Sequence, residues 1–178
     1  MTETEQKFTK IKEEYDKFSR ELLKQGKLTV RDTEKGIWGI TRCDEALNIF
    51  KKINLDKYKN FIDLGSGDGR AVIVASLFTN AVGVEFDKEL NDKAIEINKK
   101  LKLKAKFICK DFFEINLKEY DVIFMNPDRG FEFGLEQKIL KEFKGLLVVY
   151  NNIFLPNILK KKKVIWAEQV PVNIYEVK

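Results

Sequence analysis

Residues 63–70 read Asp63-Leu64-Gly65-Ser66-Gly67-Asp68-Gly69-Arg70. Three glycines and Asp68 follow a short apolar run, Phe61-Ile62-Asp63-Leu64, which carries a second carboxylate at Asp63. Glycine permits backbone angles closed to other residues and lets a ligand approach the main chain. A second apolar run, residues 81–86, ends on Glu85 and Phe86, 20 residues beyond Gly65. A carboxylate there can accept hydrogen bonds from both hydroxyls of a ribose. Glycine loop and distal acid together describe a nucleoside-cofactor site. The plainer alternatives are a simple turn and a solvated strand end.

The details discriminate among cofactors. The dinucleotide fingerprint G-x-G-x-x-G needs its third glycine for close helix packing. Here that glycine comes one residue early, at Gly69, and Arg70 fills the fingerprint position. No Gly-Lys-Ser/Thr follows, so the phosphate-loop signature is missing. Asp63 and Asp68 make the loop acidic, which disfavours a pyrophosphate and suits a cation. S-adenosylmethionine fits, because its sulfonium and ammonium groups are both positive.

The chain has no histidine. Ser-His-Asp, Cys-His and HExxH chemistries are therefore excluded. Methyl transfer from a sulfonium needs none of them. It needs an aligned acceptor with a free lone pair, shielded from water. The two cysteines, Cys43 and Cys109, form neither a zinc pattern nor a disulfide framework. No metal is expected, and cysteine usage suits a reducing, cytoplasmic setting. No secretory signal is visible in MTETEQKFTK, and no apolar run approaches the length of a membrane span. The 33 Lys+Arg outnumber the 28 Asp+Glu by 5, a mild bias toward acidic partners.

Periodicity supplies the elements that must hold these residues. Phe8, Ile11, Tyr15, Phe18 and Leu22 make one stripe of a helix over 3–25, stopped by Gly26. Residues 27–40 show no period and read as a loop. A helix follows from Thr41, with Thr41 and Asp44 at cap-like spacing. From residue 60 strands and helices alternate. Strands are expected at 61–64, 81–86, 106–109, 120–125 and 146–150, with helices reaching about 79, over 88–101 and over about 131–143. This pattern predicts a parallel sheet with helices on both faces. Residues 164–166 and 172–175 read as an antiparallel hairpin on one edge. Residues 1–40 are expected to brace the cofactor cleft and 41–178 to form the catalytic domain.

Four segments carry a resemblance over about residues 41–178. They are Asp63 to Gly69, then Gly83-Val84-Glu85, Lys110-Asp111-Phe112-Phe113, and Asp121-Val122-Ile123-Phe124-Met125-Asn126-Pro127. Together the chain resembles the class I S-adenosylmethionine-dependent methyltransferases. That likeness implies a Rossmann-like α/β fold, a seven-stranded sheet, mostly parallel, with an antiparallel seventh strand. It implies that Asp63, Gly65, Gly67 and Gly69 lie along the methionine part of the cofactor and that Glu85, with Phe86 beside it, holds the ribose end. Asp111 would receive the adenine amino group and Phe112 would pack on the ring. Trp38 to Thr41 would touch the cofactor from the amino-terminal side. Phe112, Phe113 and Trp38 also read as ordinary packing residues.

The acceptor clue is Asn126-Pro127-Asp128. It resembles the Asn-Pro-Pro-Tyr of methyltransferases acting on planar amino groups, where Asn and Pro oxygens accept from the amine. Asp128 and Arg129 replace the final Pro and Tyr, so the stacking ring is lost. A carboxylate at Asp128 would attract a cationic amine and could take its proton. A solvated turn is the alternative. Residues 63–74 are also similar to the first motif of small archaeal and mitochondrial protein-lysine methyltransferases. The expected substrate is therefore protein lysine. RNA or DNA methylation is the rival, resting on Lys160 to Lys163 and the lysines at 99–106, which equally suit solvated segments. A cofactor-binding scaffold without catalysis is the third reading.

Overall fold

The computed structural model describes residues 2–131 and 134–178. Helix α1 (Glu3–Lys24) opens with Thr2 and Glu5 capping each other's backbone N–H groups. It stops at Gly26, whose φ of +70° lets the Lys27 N–H turn back to the Leu22 carbonyl. Where a loop was expected, the chain forms a hairpin, β1 (Val30–Thr33) and β2 (Gly36–Gly39). Its eight residues are mostly exposed or half-buried, so no alternation of apolar and polar residues announced it. Helix α2 (Cys43–Lys52) starts after Arg42, whose N–H donates to the Glu45 carboxylate; Thr41 is not its cap.

The remaining elements are β3 (Asn60–Leu64), α3 (Arg70–Ala75), β4 (Asn80–Glu85), α4 (Lys88–Lys100), β5 (Lys106–Cys109), β6 (Val122–Met125), α5 (Leu135–Glu142), β7 (Gly145–Tyr150), β8 (Lys161–Ala167) and β9 (Val170–Val177). Helix α3 is shorter than its apolar pattern suggested and passes into turns after Ala75. The helix expected from about residue 131 begins at Leu135; Glu132 and Phe133 lie outside the described residues. Lys161 to Lys163, which precede the strand expected at 164–166, open the edge strand β8. Lysines on an edge discourage pairing with another chain.

Seven strands form one sheet in the order β5-β4-β3-β6-β7-β9-β8. Only β9 runs antiparallel to its neighbours β7 and β8. The central strands β3, β6 and β7 are buried nearly throughout, which explains their unbroken apolar runs. One face carries residues of α1 to α4, including Ile11, Ile49, Val72 and Ile97. The other face carries α5 through Leu135 and Ile139. Phe50 meets Phe61 and Phe124 edge-on, at 5.2 and 5.7 Å between centroids. Strand order reverses between β3 and β6, and a crevice opens there beyond the strands' carboxyl ends.

Helix α1 is fastened to the loop at this crevice. The buried Tyr15 hydroxyl donates to the Asp68 carbonyl at 2.9 Å, and Arg70 Nη2 donates to Ser19 Oγ at 2.9 Å. Tyr15→Phe should cost about 1 kcal/mol in a urea titration by leaving that carbonyl unpartnered. An unchanged midpoint would mean that this bond does not hold α1 in place.

Candidate functional site

The three loop glycines all take positive φ, +83° at Gly65, +54° at Gly67 and +79° at Gly69. Their surroundings differ. A Cβ on Gly65 would meet nothing within 4 Å, whereas one on Gly67 would lie 2.6 Å from the Trp38 ring. Gly65 thus leaves the main chain open. A Cβ on Gly69 would strike Ala94 Cβ and Phe107 at 2.7 Å. Gly69 therefore lets α3 pack closely on α4 and β5. Gly69 stands behind the residues that line the cleft.

The acids around this loop are unequal. Asp68 is buried, which pushes its carboxyl up, while Arg70 pulls it back through a 2.7 Å ion pair. Glu85, at the end of β4, accepts the Gly67 N–H at Oε2 and the Asp87 N–H at Oε1, both at 2.8 Å. Burial still raises its pKa. Asp63 is 3% exposed, and burial, Glu85 and Asp68 all drive its carboxyl well above the ordinary range. The two charges that act on it most, Glu85 and Asp68, are both negative. Asp63 and Glu85 both line a cleft of about 570 Å3. That volume suits a small organic ligand.

The other expected residues line the same cleft. Trp38 and Thr41, both buried, form the wall on the β2 side. Trp38 also packs on Leu22 and Leu90, so it is a packing residue as well. Phe86, Asp111 and Phe112 form one end. Desolvation raises the Asp111 carboxyl, but Lys35 Nζ at 2.6 Å and the Phe113 N–H at 3.0 Å outweigh it, leaving the pKa below the ordinary value. Asn126, Pro127 and Asp128 form the opposite end, after β6. Asp128 Oδ2 accepts the Ile37 N–H at 2.7 Å, so this carboxylate is engaged by the hairpin rather than merely solvated.

Sequence reasoning missed Lys35, because the hairpin that places it had no apolar signature. It also missed Asn151, which follows β7 at φ +77°. Its side-chain amide donates to Asn126 Oδ1 at 3.0 Å and to the Pro127 carbonyl at 3.5 Å, while its oxygen accepts the Ile153 N–H at 2.8 Å. The two backbone partners fix which end of Asn151 donates, and Asn151 in turn orients Asn126. Nothing short of the strand order would bring residues 126 and 151 together.

The cleft fits a cationic nucleoside. Asp63 and Glu85, buried acids without a cationic partner, would gain a counter-charge from a sulfonium or ammonium and would repel a pyrophosphate. The six-residue α3 offers little helix dipole to offset that repulsion. Among the described residues no cluster of three or more His, Cys, Asp or Glu could hold a metal ion, and no helix is long and apolar enough to cross a membrane.

Comparison with known proteins points the same way. The sequence model of the family described as "Histone methylation protein DOT1" matches residues 29–170. No curated protein sequence matches. Among solved structures, an RNA methyltransferase from Salinibacter ruber in complex with S-adenosyl-L-homocysteine superposes with a TM-score of 0.70 at 21% identity, covering 78% of this chain and 93% of that one. An Escherichia coli protein described as a candidate methyltransferase gives 0.62 at 16% identity, covering 75% and 84%. At these identities the likeness is one of fold.

Asp63→Asn separates stability from binding. Folded Asp63 holds its proton to higher pH than the unfolded chain does, so its contribution to stability is present at low pH and lost as pH rises. The variant should be more stable than wild type at neutral pH, by on the order of 1 kcal/mol, with the gain fading toward about pH 4. Its affinity for S-adenosylmethionine should fall about tenfold or more. Thermal melts across pH and calorimetry check both. A destabilised variant with unchanged affinity would contradict the assignment.

Proposed function

Because the chain belongs to the DOT1 family of histone methylation proteins, and is thus an S-adenosylmethionine-dependent methyltransferase, we propose that it N-methylates lysine side chains of a protein substrate. The observation that carries this reading is the carboxylate of Asp128, placed with Asn126 and Pro127 at one end of the cleft. It supports a lysine acceptor because a carboxylate draws in an ammonium, and the family's description concerns a protein substrate.

Bound S-adenosylmethionine supplies an electrophilic methyl group on a positively charged sulfur. Asp63 and the backbone at Gly65 and Gly67 would hold its methionine part, and Glu85 its ribose. Phe86 and Phe112 would flank the base, and Asp111 would accept from the base's amino group. Trp38 and Thr41 close the near side, and residues 1–40 as a whole brace the cleft. The acceptor ammonium must lose a proton to expose its lone pair; the new C–N bond would form as the methyl's C–S bond breaks, with neutral S-adenosylhomocysteine as the leaving group. Asp128 holds that ammonium and takes the proton through water, while Asn126 and Pro127 orient the nitrogen. The enclosing walls exclude bulk water from the reacting pair. A cytoplasmic setting suits the two free thiols, Cys43 and Cys109.

RNA methylation is the second reading. It draws on the lysine run opening the exposed edge strand β8. The two separate on incubation with methyl-labelled cofactor and cell extract, followed by protease or nuclease. Label released by protease and recovered as methyl-lysine is the expected result. Label released by nuclease alone would overturn the lysine proposal.

A further inference from the structure

The β1–β2 hairpin reaches across the cleft and holds both of its ends. At one end Lys35, in the hairpin turn, places Nζ 2.6 Å from Asp111 Oδ2 and 3.9 Å from the centroid of the Phe86 ring. The second Asp111 oxygen is already occupied by the Phe113 N–H. One ammonium thus uses the free carboxylate oxygen and one face of the aromatic ring. A planar base carrying an amino group needs those same two surfaces. At the other end the Ile37 N–H donates to Asp128 Oδ2 at 2.7 Å, and Arg129 both pairs with that carboxylate at 3.4 Å and donates through Nη2 to the Lys35 carbonyl, so the hairpin holds the Asp128–Arg129 pair as a unit. Gly36 makes this seat possible: a Cβ there would lie 2.1 Å from Asp128 Oδ2 and 2.6 Å from Arg129 Nη2.

We propose that the hairpin is an internal competitor for the cofactor, with Lys35 occupying the base subsite and Ile37 holding Asp128 until the cofactor displaces them. The inference rests on the cofactor reading given above, which puts the base against Phe86 and Asp111. The latch is suited to release. Lys35 is half-exposed, and an exposed ion pair with one cation–π contact is weak. Displacing Lys35 shifts the turn that leads into Gly36 and Ile37 of β2, so filling the cofactor end frees the carboxylate at the acceptor end. The acceptor lysine then meets an available Asp128 only in a chain already loaded with cofactor, which orders the two binding events.

The test uses the full chain, with S-adenosylhomocysteine as the probe and calorimetry as the readout. Lys35→Met should bind roughly 3- to 10-fold more tightly than wild type, since a weak competitor has been removed. The difference should shrink between about 0.05 and about 0.5 M salt, because the Lys35–Asp111 attraction is screened. Melting curves will show that the variant, altered at a half-exposed turn, remains folded. In wild type, hydrogen exchange at the Ile37 amide should speed up on adding the probe. Equal or weaker binding by Lys35→Met overturns the competitor role while leaving the cofactor site intact. Slower exchange at Ile37 overturns the link to Asp128. Binding by neither protein overturns this inference together with the reading beneath it.

Discussion

Three carboxylates, those of Asp63, Asp68 and Glu85, are gathered at the carboxyl ends of two adjacent parallel strands, and only one of them has a cation. Asp68 is paired with Arg70. Glu85 is held by two backbone N–H groups. Asp63 has neither, and its neighbours push its proton on rather than off. A folded chain tolerates such crowding by keeping a carboxyl protonated or by binding a cation. The cleft beside these groups gives the cation a place. Pairing between β3 and β4, which sets Leu64 against Val84, fixes the distance between loop and acid.

Arg70 shows how a departure from a familiar motif acquires its own use. In a dinucleotide loop that position is a glycine, so that helix and strand can approach. Here Gly69 already provides the close approach, against Ala94 and Phe107. Arg70 is then free to neutralise Asp68, stack on the Tyr15 ring with its guanidinium carbon 4.9 Å from the centroid, and reach Ser19. The amino-terminal helix is thereby tied to the glycine loop. Its apolar stripe supplies the rest of the attachment, burying Ile11 and Tyr15 against the main core.

Much of the sheet and of the cofactor end was legible in the sequence, for a physical reason. Buried parallel strands must be continuously apolar, and the Gly65 to Gly69 turn and Glu85 sit at the ends of two such runs. The antiparallel pair near Pro171 was legible too, since two β-rich runs lay close together. What escaped notice had no periodic signature. The β1–β2 hairpin is largely solvent-facing, so Lys35 and Ile37 carried no hint of lying over the cleft. Asn151 is joined to Asn126 only because β6 and β7 are neighbours. Asp128 was legible as a carboxylate after β6, yet its bond to Ile37 could not be read without the hairpin. The packing of Gly69 against Ala94 and Phe107 was not legible either, because loop glycines look alike until their surroundings are known.

The central claim is that an under-compensated pair of acids selects a positively charged sulfur donor. It is tested most directly by titrating wild-type protein with S-adenosylmethionine at a series of pH values above that at which an ordinary aspartate has lost its proton, because burial and its acidic neighbours make Asp63 hold its proton to higher pH. Affinity should tighten steadily with rising pH, with protons released to buffer on binding. An affinity that is flat or weakens across that range would show that no such acid faces the ligand.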